Sequence, residues 1–299
     1  MKVLAKYLNP RVISRVGAYG IDPKGIVEGN IAGAHKSPFH GFSVEFAGHR
    51  EYMPGDDPKH IDWNVYYKRD KYFCKQYEAE TNLISQIFLD ASESMRFQSG
   101  DLSKLDYAAY LAVSLTYLVT SARDSVGIGV FNDKIVDYLP PSNSMQAVYK
   151  ISELIEKREP AKKTAMGTSL MDFAQRIGRR QIVVVISDCL LEPDELNDGL
   201  SRLRYDHHEL VLFHVADPME LDFDLKGMVK FKGMENKGDI KLDAQRVRKA
   251  YKEKFKAHKR SIMEVCEKNR CEYVPANTGL PLEELLMSYL SSRMTHINR

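Results

Sequence analysis

NLISQIFL at residues 82–89 runs directly into Asp90-Ala91-Ser92-Glu93-Ser94-Met95, and this junction decides how the chain reads. The first eight residues have the apolar, β-branched and aromatic make-up of a strand. One carboxylate and then two hydroxyls follow at alternate positions. From a tight loop at a strand end these side chains can point the same way, and such hard oxygen donors suit Mg²⁺ or Mn²⁺. Taken alone, the run equally fits a strand-to-helix loop whose Asp and Ser cap the next helix.

Working outward, apolar strand-like runs alternate with helical patterns, the signature of an α/β, doubly wound, mainly parallel sheet. Leu105, Ala108, Leu111, Ala112, Leu115, Leu118 and Val119 recur at helical spacing, predicting a helix over 103–122 with Ser103 as N-cap. SVGIGVF (125–131) and KIVDYL (134–139), separated by Asn132-Asp133, predict a hairpin with an antiparallel edge strand that Pro140-Pro141 stops. Helices are expected over 145–157 and up to 177, with a polar loop at 162–169 before the second. QIVVVIS (181–187), ELVLFHV (209–215) and CEYVP (271–275) read as further strands. A hairpin over 230–242, a long charged helix over 243–269 and a last helix over 282–293 complete this part. Residues 17–77 are rich in Gly, Pro, His and aromatics, with short extended pieces at 41–46 and 72–77. The division is therefore a β-rich N-terminal extension (1–81) and a main domain (82–299).

The 299 residues carry 43 Lys and Arg against 41 Asp and Glu, a formal charge of +2. That balance argues against nucleic acid or an anionic membrane as the main partner. The longest apolar run, 108–119, falls short of a spanning helix, and the N-terminus does not read as a secretory signal, so a cytoplasmic location is expected. Cys74, Cys189, Cys266 and Cys271 lack zinc-site spacing and read as free thiols. His207-His208 reads as a solvated turn. Residues 246–260 hold eight basic residues against Glu253 alone. Tyr251, Phe255 and Ile262 at helical spacing make this a packed amphipathic helix with a basic solvent face rather than a nucleic-acid stripe.

In a doubly wound sheet the ligand crevice lies at the carboxyl ends of the strands beside the order switch. Asp90 and Asp188 both stand at such ends. If the 162–169 loop crosses the same crevice, Thr168 adds a third hydroxyl, giving Asp90, Ser92, Ser94, Thr168 and Asp188 around one divalent cation. At this point the chain resembles the von Willebrand factor A domain, whose metal-ion-dependent adhesion site has an Asp-x-Ser-x-Ser loop, a distant Thr and a distant Asp. Asp90-Ala91-Ser92-Glu93-Ser94, Gly167-Thr168-Ser169 and Ile186-Ser187-Asp188 match these elements in order. Glu93 departs from the small residue expected at its place.

The run from Phe46 through Arg50-Glu51-Tyr52-Met53-Pro54-Gly55-Asp56-Asp57 to Ile61-Asp62-Trp63, followed by Glu78-Ala79-Glu80-Thr81-Asn82, resembles the domain-of-unknown-function family numbered fifty-eight, often encoded beside MoxR-type AAA+ ATPases. The resemblance implies a von Willebrand A core with a β-rich addition, working with an ATPase of that type. It also implies direct hydroxyl ligation, with the carboxylates acting largely through water, so that the cation stays electrophilic and accepts an acidic side chain from a partner protein. For Arg50, Asp56, Asp57, Asp62 and Trp63 the residues themselves favour a polar turn closed by a buried Trp.

Enzyme signatures are largely missing: there is no phosphate-binding G-x-x-x-x-G-K-[ST], no G-x-S-x-G and no H-E-x-x-H. The chain is therefore expected not to be an enzyme. The rival reading is a metal-dependent phosphohydrolase with Asp90 as nucleophile, which lacks a second carboxylate two residues on.

Overall fold

The structure, a computed structural model, describes residues 7, 44–53, 61–69, 71–79, 83–132, 134–156, 166–231 and 240–297. By contacts the chain divides into two compact units, Ala34–Asn82 and the combination of Met1–Gly33 with Leu83–Arg299. Tyr7 is buried there, its ring 5.5 Å from that of Tyr110.

In the small unit, β1 (Val44–Glu51) and β2 (Phe73–Ala79) pair antiparallel across α1 (Trp63–Arg69), which lies between them in sequence. Asp62 caps α1: its Oδ1 accepts from the Asn64 N–H at 3.0 Å, and its Oδ2 lies 2.9 Å from His49 Nε2. Asp62 is buried, whereas Trp63 is 54% exposed, contrary to the buried Trp expected. The reason is position: Trp63 opens the helix and sits edge-on to Tyr66 and Tyr72, which stack on each other at 4.6 Å. Pro54, Asp56 and Asp57 lie outside the described residues.

The large unit opens with β3 (Ile84–Asp90), followed by α2 (Lys104–Ser121), β4 (Ser125–Phe131) and β5 (Ile135–Ser142). Next come α3 (Gln146–Glu156), α4 (Met166–Arg176), β6 (Ile182–Ser187), α5 (Pro193–Tyr205) and β7 (Glu209–Ala216). The chain continues through α6 (Pro218–Asp222), the hairpin β8 (Met228–Phe231) and β9 (Ile240–Asp243), α7 (Ala244–Lys268), β10 (Cys271–Asn277) and α8 (Leu282–Ile297). The main sheet has the order β10-β7-β6-β3-β4-β5 and is parallel except for β5.

Side chains alternate across a strand, and here both faces are apolar because both are covered by helices. Ile87, Leu89, Val184, Ile186, Val211 and Phe213 join α2, α3 and α8 in one core. Phe88, Val183, Val185, Leu210 and Leu212 face the other way and join α4, α5 and the last turns of α7. The fold is thus α/β and doubly wound, as expected.

Some local expectations need correction. β5 runs through Pro140 and Pro141 to Ser142 instead of stopping before them. It is the last strand of the sheet, and an edge tolerates residues without an N–H. Pro275 lies likewise in β10, the opposite edge. His208 is fully buried, with Nδ1 accepting from the Gln181 N–H at 3.1 Å, while its neighbour His207 takes the left-handed turn conformation at φ 62°. A pair read as one solvated turn is therefore split between core and surface. The long basic helix α7 packs as an amphipathic element through Ile262, Cys266 and the stacking of Tyr251 on Phe223 at 4.4 Å. The four cysteines are free and buried.

The N-cap of α2 forms as read from the sequence: Ser103 Oγ accepts from the Asp106 N–H at 3.0 Å. Ser103→Ala is expected to lower stability by about 1 kcal/mol, visible as a shift in the urea midpoint. Because Lys104 is the first residue of the same helix, this cap also orients the lysine described below.

Candidate functional site

The chain enters the sheet at β3, adds β4 and β5 on one side, then crosses to β6 on the other. The carboxyl ends of β3 and β6 thus form the switch point where a doubly wound sheet opens a crevice. Leu89 is in register with Ile186, so Asp90 and Ser187 meet one step later. Ser187 Oγ donates to Asp90 Oδ2 at 2.6 Å.

The other oxygen, Asp90 Oδ1, accepts from the Ser92 N–H at 2.9 Å, which bends the chain back and brings Ser92 Oγ to 3.0 Å from Ser94 Oγ. Met95, buried completely, anchors the short 3-10 turn Ser94–Arg96 that follows. Across the switch point the pattern repeats: Asp188 Oδ1 accepts from the Leu190 N–H at 3.3 Å, and Ser187 Oγ from the Cys189 N–H at 3.0 Å. Burial, with the Asp188 carboxylate facing it, pushes the Asp90 acid up to about 6. Two buried acids therefore confront one another at this end of the sheet.

Of the five residues expected from the sequence, Asp90, Ser92, Ser94 and Asp188 form this buried group. Thr168 lies in the first turn of α4, with an exposed side chain, rather than in a loop. A Cβ on Gly167 would come within 2.7 Å of the Glu195 carbonyl oxygen. The glycine therefore lets the first turns of α4 and α5 touch, setting Thr168 beside the helix that follows Asp188. Residues 162–165 lie outside the described residues.

Lys104, not singled out from the sequence, is the main addition. Its side chain is completely buried, and Nζ donates to Asp188 Oδ2 at 2.8 Å and to Glu220 Oε1 at 2.7 Å. Burial alone would weaken its hold on the proton, but Asp188 and Glu220 outweigh it and keep the ammonium above its ordinary pKa. Glu220 belongs to a capping box with Asp217 at the start of α6, and Asp217 in turn holds the Ser99 N–H at 2.9 Å.

His214 is the second addition. It lies opposite Ser187 on β7, with Nε2 3.0 Å from the Asp188 carbonyl oxygen and Nδ1 2.8 Å from the Tyr273 hydroxyl. Burial lowers its pKa to about 4, so the ring is neutral near pH 7. A carbonyl only accepts, so Nε2 carries the proton and Nδ1 accepts from Tyr273.

Among the described residues no group of three or more His, Cys, Asp and Glu side chains suits a metal ion. Any cation here would depend on hydroxyl donors. The donor set fits that requirement: it is all oxygen, it pairs two hydroxyls at 3.0 Å, and it includes an acid whose burial disfavours its charge.

The doubly wound, mainly parallel sheet with one antiparallel edge strand is a von Willebrand factor A-like fold. The chain belongs to the family described as Protein of unknown function DUF58, whose model matches residues 48–261. Relatives include uncharacterized proteins of Mycobacterium bovis and Mycobacterium tuberculosis, each 23% identical over 230 residues, covering 76% of this chain and 72% of the relative. The fold is similar to that of the conserved hypothetical protein BatB from Bacteroides thetaiotaomicron, at 17% identity and a TM-score of 0.50, over 71% of this chain and 99% of that one. The SpRpn10 VWA domain matches at 14% identity and a TM-score of 0.39, over 70% and 95% of the two chains. Among the described residues no helix is long and apolar enough to cross a membrane.

Proposed function

We propose that this chain is a protein-interaction module, not an enzyme, that binds one Mg²⁺ or Mn²⁺ and uses it to grip an acidic side chain of a partner protein. The observation that carries the reading is the buried Asp90-Ser92-Ser94 turn, set opposite Asp188 at the switch point. Ser92 and Ser94, with Thr168 from α4, would hold the cation through hydroxyls. Asp90 and Asp188 would act from behind, since each carboxylate already accepts at both oxygens. When bound, the cation supplies an electrophilic position for a carboxylate oxygen.

The same hydrogen bonds weigh against the phosphohydrolase alternative. Both Asp90 oxygens are engaged and the residue is fully buried, whereas a nucleophile needs a lone pair aimed at its substrate. A MoxR-type AAA+ ATPase as working partner, in protein maturation or complex assembly in the cytoplasm, is supported by the family resemblance of the sequence.

Titrating Mg²⁺ calorimetrically into the native chain is expected to give saturable heat, and into Asp90→Ala only the heat of dilution. Identical traces would remove the metal from this reading. Capture of the ATPase on the immobilised chain should then fall at least about tenfold when a chelator is added, the loss of about 1.4 kcal/mol of binding.

A further inference from the structure

We propose that Lys104 is a positioning residue that sets the charge of this site from inside, and that Glu220 on α6 shares control of it; the inference rests on the metal-binding reading above. A fully buried lysine between two carboxylates is costly to desolvate, and removing either kind of partner leaves buried charge uncompensated. Here the ammonium takes one oxygen of Asp188 and one of Glu220, and the Phe97 ring centroid lies 5.9 Å from Nζ. Its remaining surroundings are closed.

The consequence is electrostatic. Lys104, Asp188 and Glu220 together carry a formal charge of −1, one cation against two anions. Asp188 faces Asp90 on one side and the ammonium on the other, so Lys104 offsets the negative charge that would otherwise draw Asp188 into direct ligation. A divalent cation at the hydroxyls would thus meet a screened acid and keep its affinity for an external carboxylate. Glu220 competes for the same ammonium. Because Glu220 Oε2 also accepts from the Asp217 N–H at 3.0 Å, the competition links the site to the first turn of α6.

The two neighbours should therefore act with opposite signs. Lys104→Met leaves the pair of acids at −2, and Glu220→Gln leaves the lysine and Asp188 at zero. With Mg²⁺ alone as the calorimetric probe and the full chain throughout, affinity is expected to rise about tenfold in Lys104→Met and to fall about tenfold in Glu220→Gln. In chelator, the thermal midpoint of Lys104→Met should drop by about 10 °C, because it leaves uncompensated buried acids. Lys104→Arg, which keeps the charge, should restore the native order of Mg²⁺ affinity.

A purely structural lysine would shift both variants the same way or leave Mg²⁺ affinity alone; either result overturns the inference while leaving the metal reading intact. If the native chain itself shows no Mg²⁺ heat, the metal reading fails, and the charge-setting role falls with it. If Lys104→Met does not fold, the sign of the Glu220→Gln change decides: unchanged or tighter binding there overturns the proposal.

Discussion

Phe173→Ala is expected to lower the unfolding free energy of the large unit by about 3–5 kcal/mol, the usual cost of emptying a fully buried aromatic site. Phe173 is the inward-facing centre of α4. Its ring lies 4.6 Å from that of Phe88, which stacks on Phe131 at 4.1 Å, and it meets Tyr138 edge-on at 6.0 Å. It also packs directly against the bare backbone of β4: a Cβ on Gly129 would come within 2.5 Å of Phe173 Cε2. Strand and helix are therefore matched by the absence of one side chain and the presence of another. This gives the prediction a second edge. Gly129→Ala should destabilise the native chain but cost clearly less in the Phe173→Ala background, a coupling expected only between touching residues. Urea unfolding of the four proteins measures both effects. A loss under about 1 kcal/mol for Phe173→Ala, or strict additivity, would contradict the packing described. The same variant should weaken Mg²⁺ binding, since α4 carries Thr168.

The second large effect concerns pH. His214 has a folded-state pKa of about 4 against an ordinary 6.5. Above pH 6.5 its contribution is complete; as pH falls from 6.5 towards 4 the unfolded chain takes up the proton first and stability is lost. Asp90 runs the other way, at about 6 against 3.8. Its contribution is complete below pH 3.8 and is lost as pH rises through 6, where the folded acid must ionise in place. Each shift corresponds to about 3 kcal/mol over its window. In the native chain they oppose one another between pH 4 and 6.

Separated by mutation, they should pull apart. In chelator, His214→Asn is expected to gain stability on acidification relative to Asp90→Asn, the two profiles diverging by about 4 kcal/mol between pH 7 and 4.5 (about 2 from each group). Groups common to both variants cancel in the comparison. Parallel profiles from urea melts would show that neither group carries the assigned shift.

Much of this architecture is legible in the sequence because it rests on short-range pattern. The alternation of buried strands and amphipathic helices, the Ser103 cap, the antiparallel excursion after Phe131 and the spacing of Asp90, Ser92 and Ser94 all lie within a few residues of one another. What escapes is what depends on distance along the chain. Lys104 reads as an ordinary polar residue at a helix start, yet its partners lie 84 and 116 residues away. His214 sits within an apolar strand and has meaning only through Asp188 and Tyr273. Thr168 reads as a loop residue because Gly167 and its polar neighbours argue weakly for helix, whereas contact with α5 draws that first turn into α4. Trp63 shows the converse: its size argues for burial, yet within a local aromatic cluster at a helix start it stays exposed.

Both outer strands of the main sheet contain imino acids, Pro140 and Pro141 at one margin and Pro275 at the other. Successive N–H positions of a strand face opposite sides, so at most one of Pro140 and Pro141 bares the free margin, and there it withholds a hydrogen that an incoming chain would need to extend the ladder. Strand addition is thereby hampered at that point of the β5 margin. Under the proposed reading a visiting protein would instead land on the loops at the tips of the strands, where recognition depends on side-chain chemistry and can be chosen residue by residue.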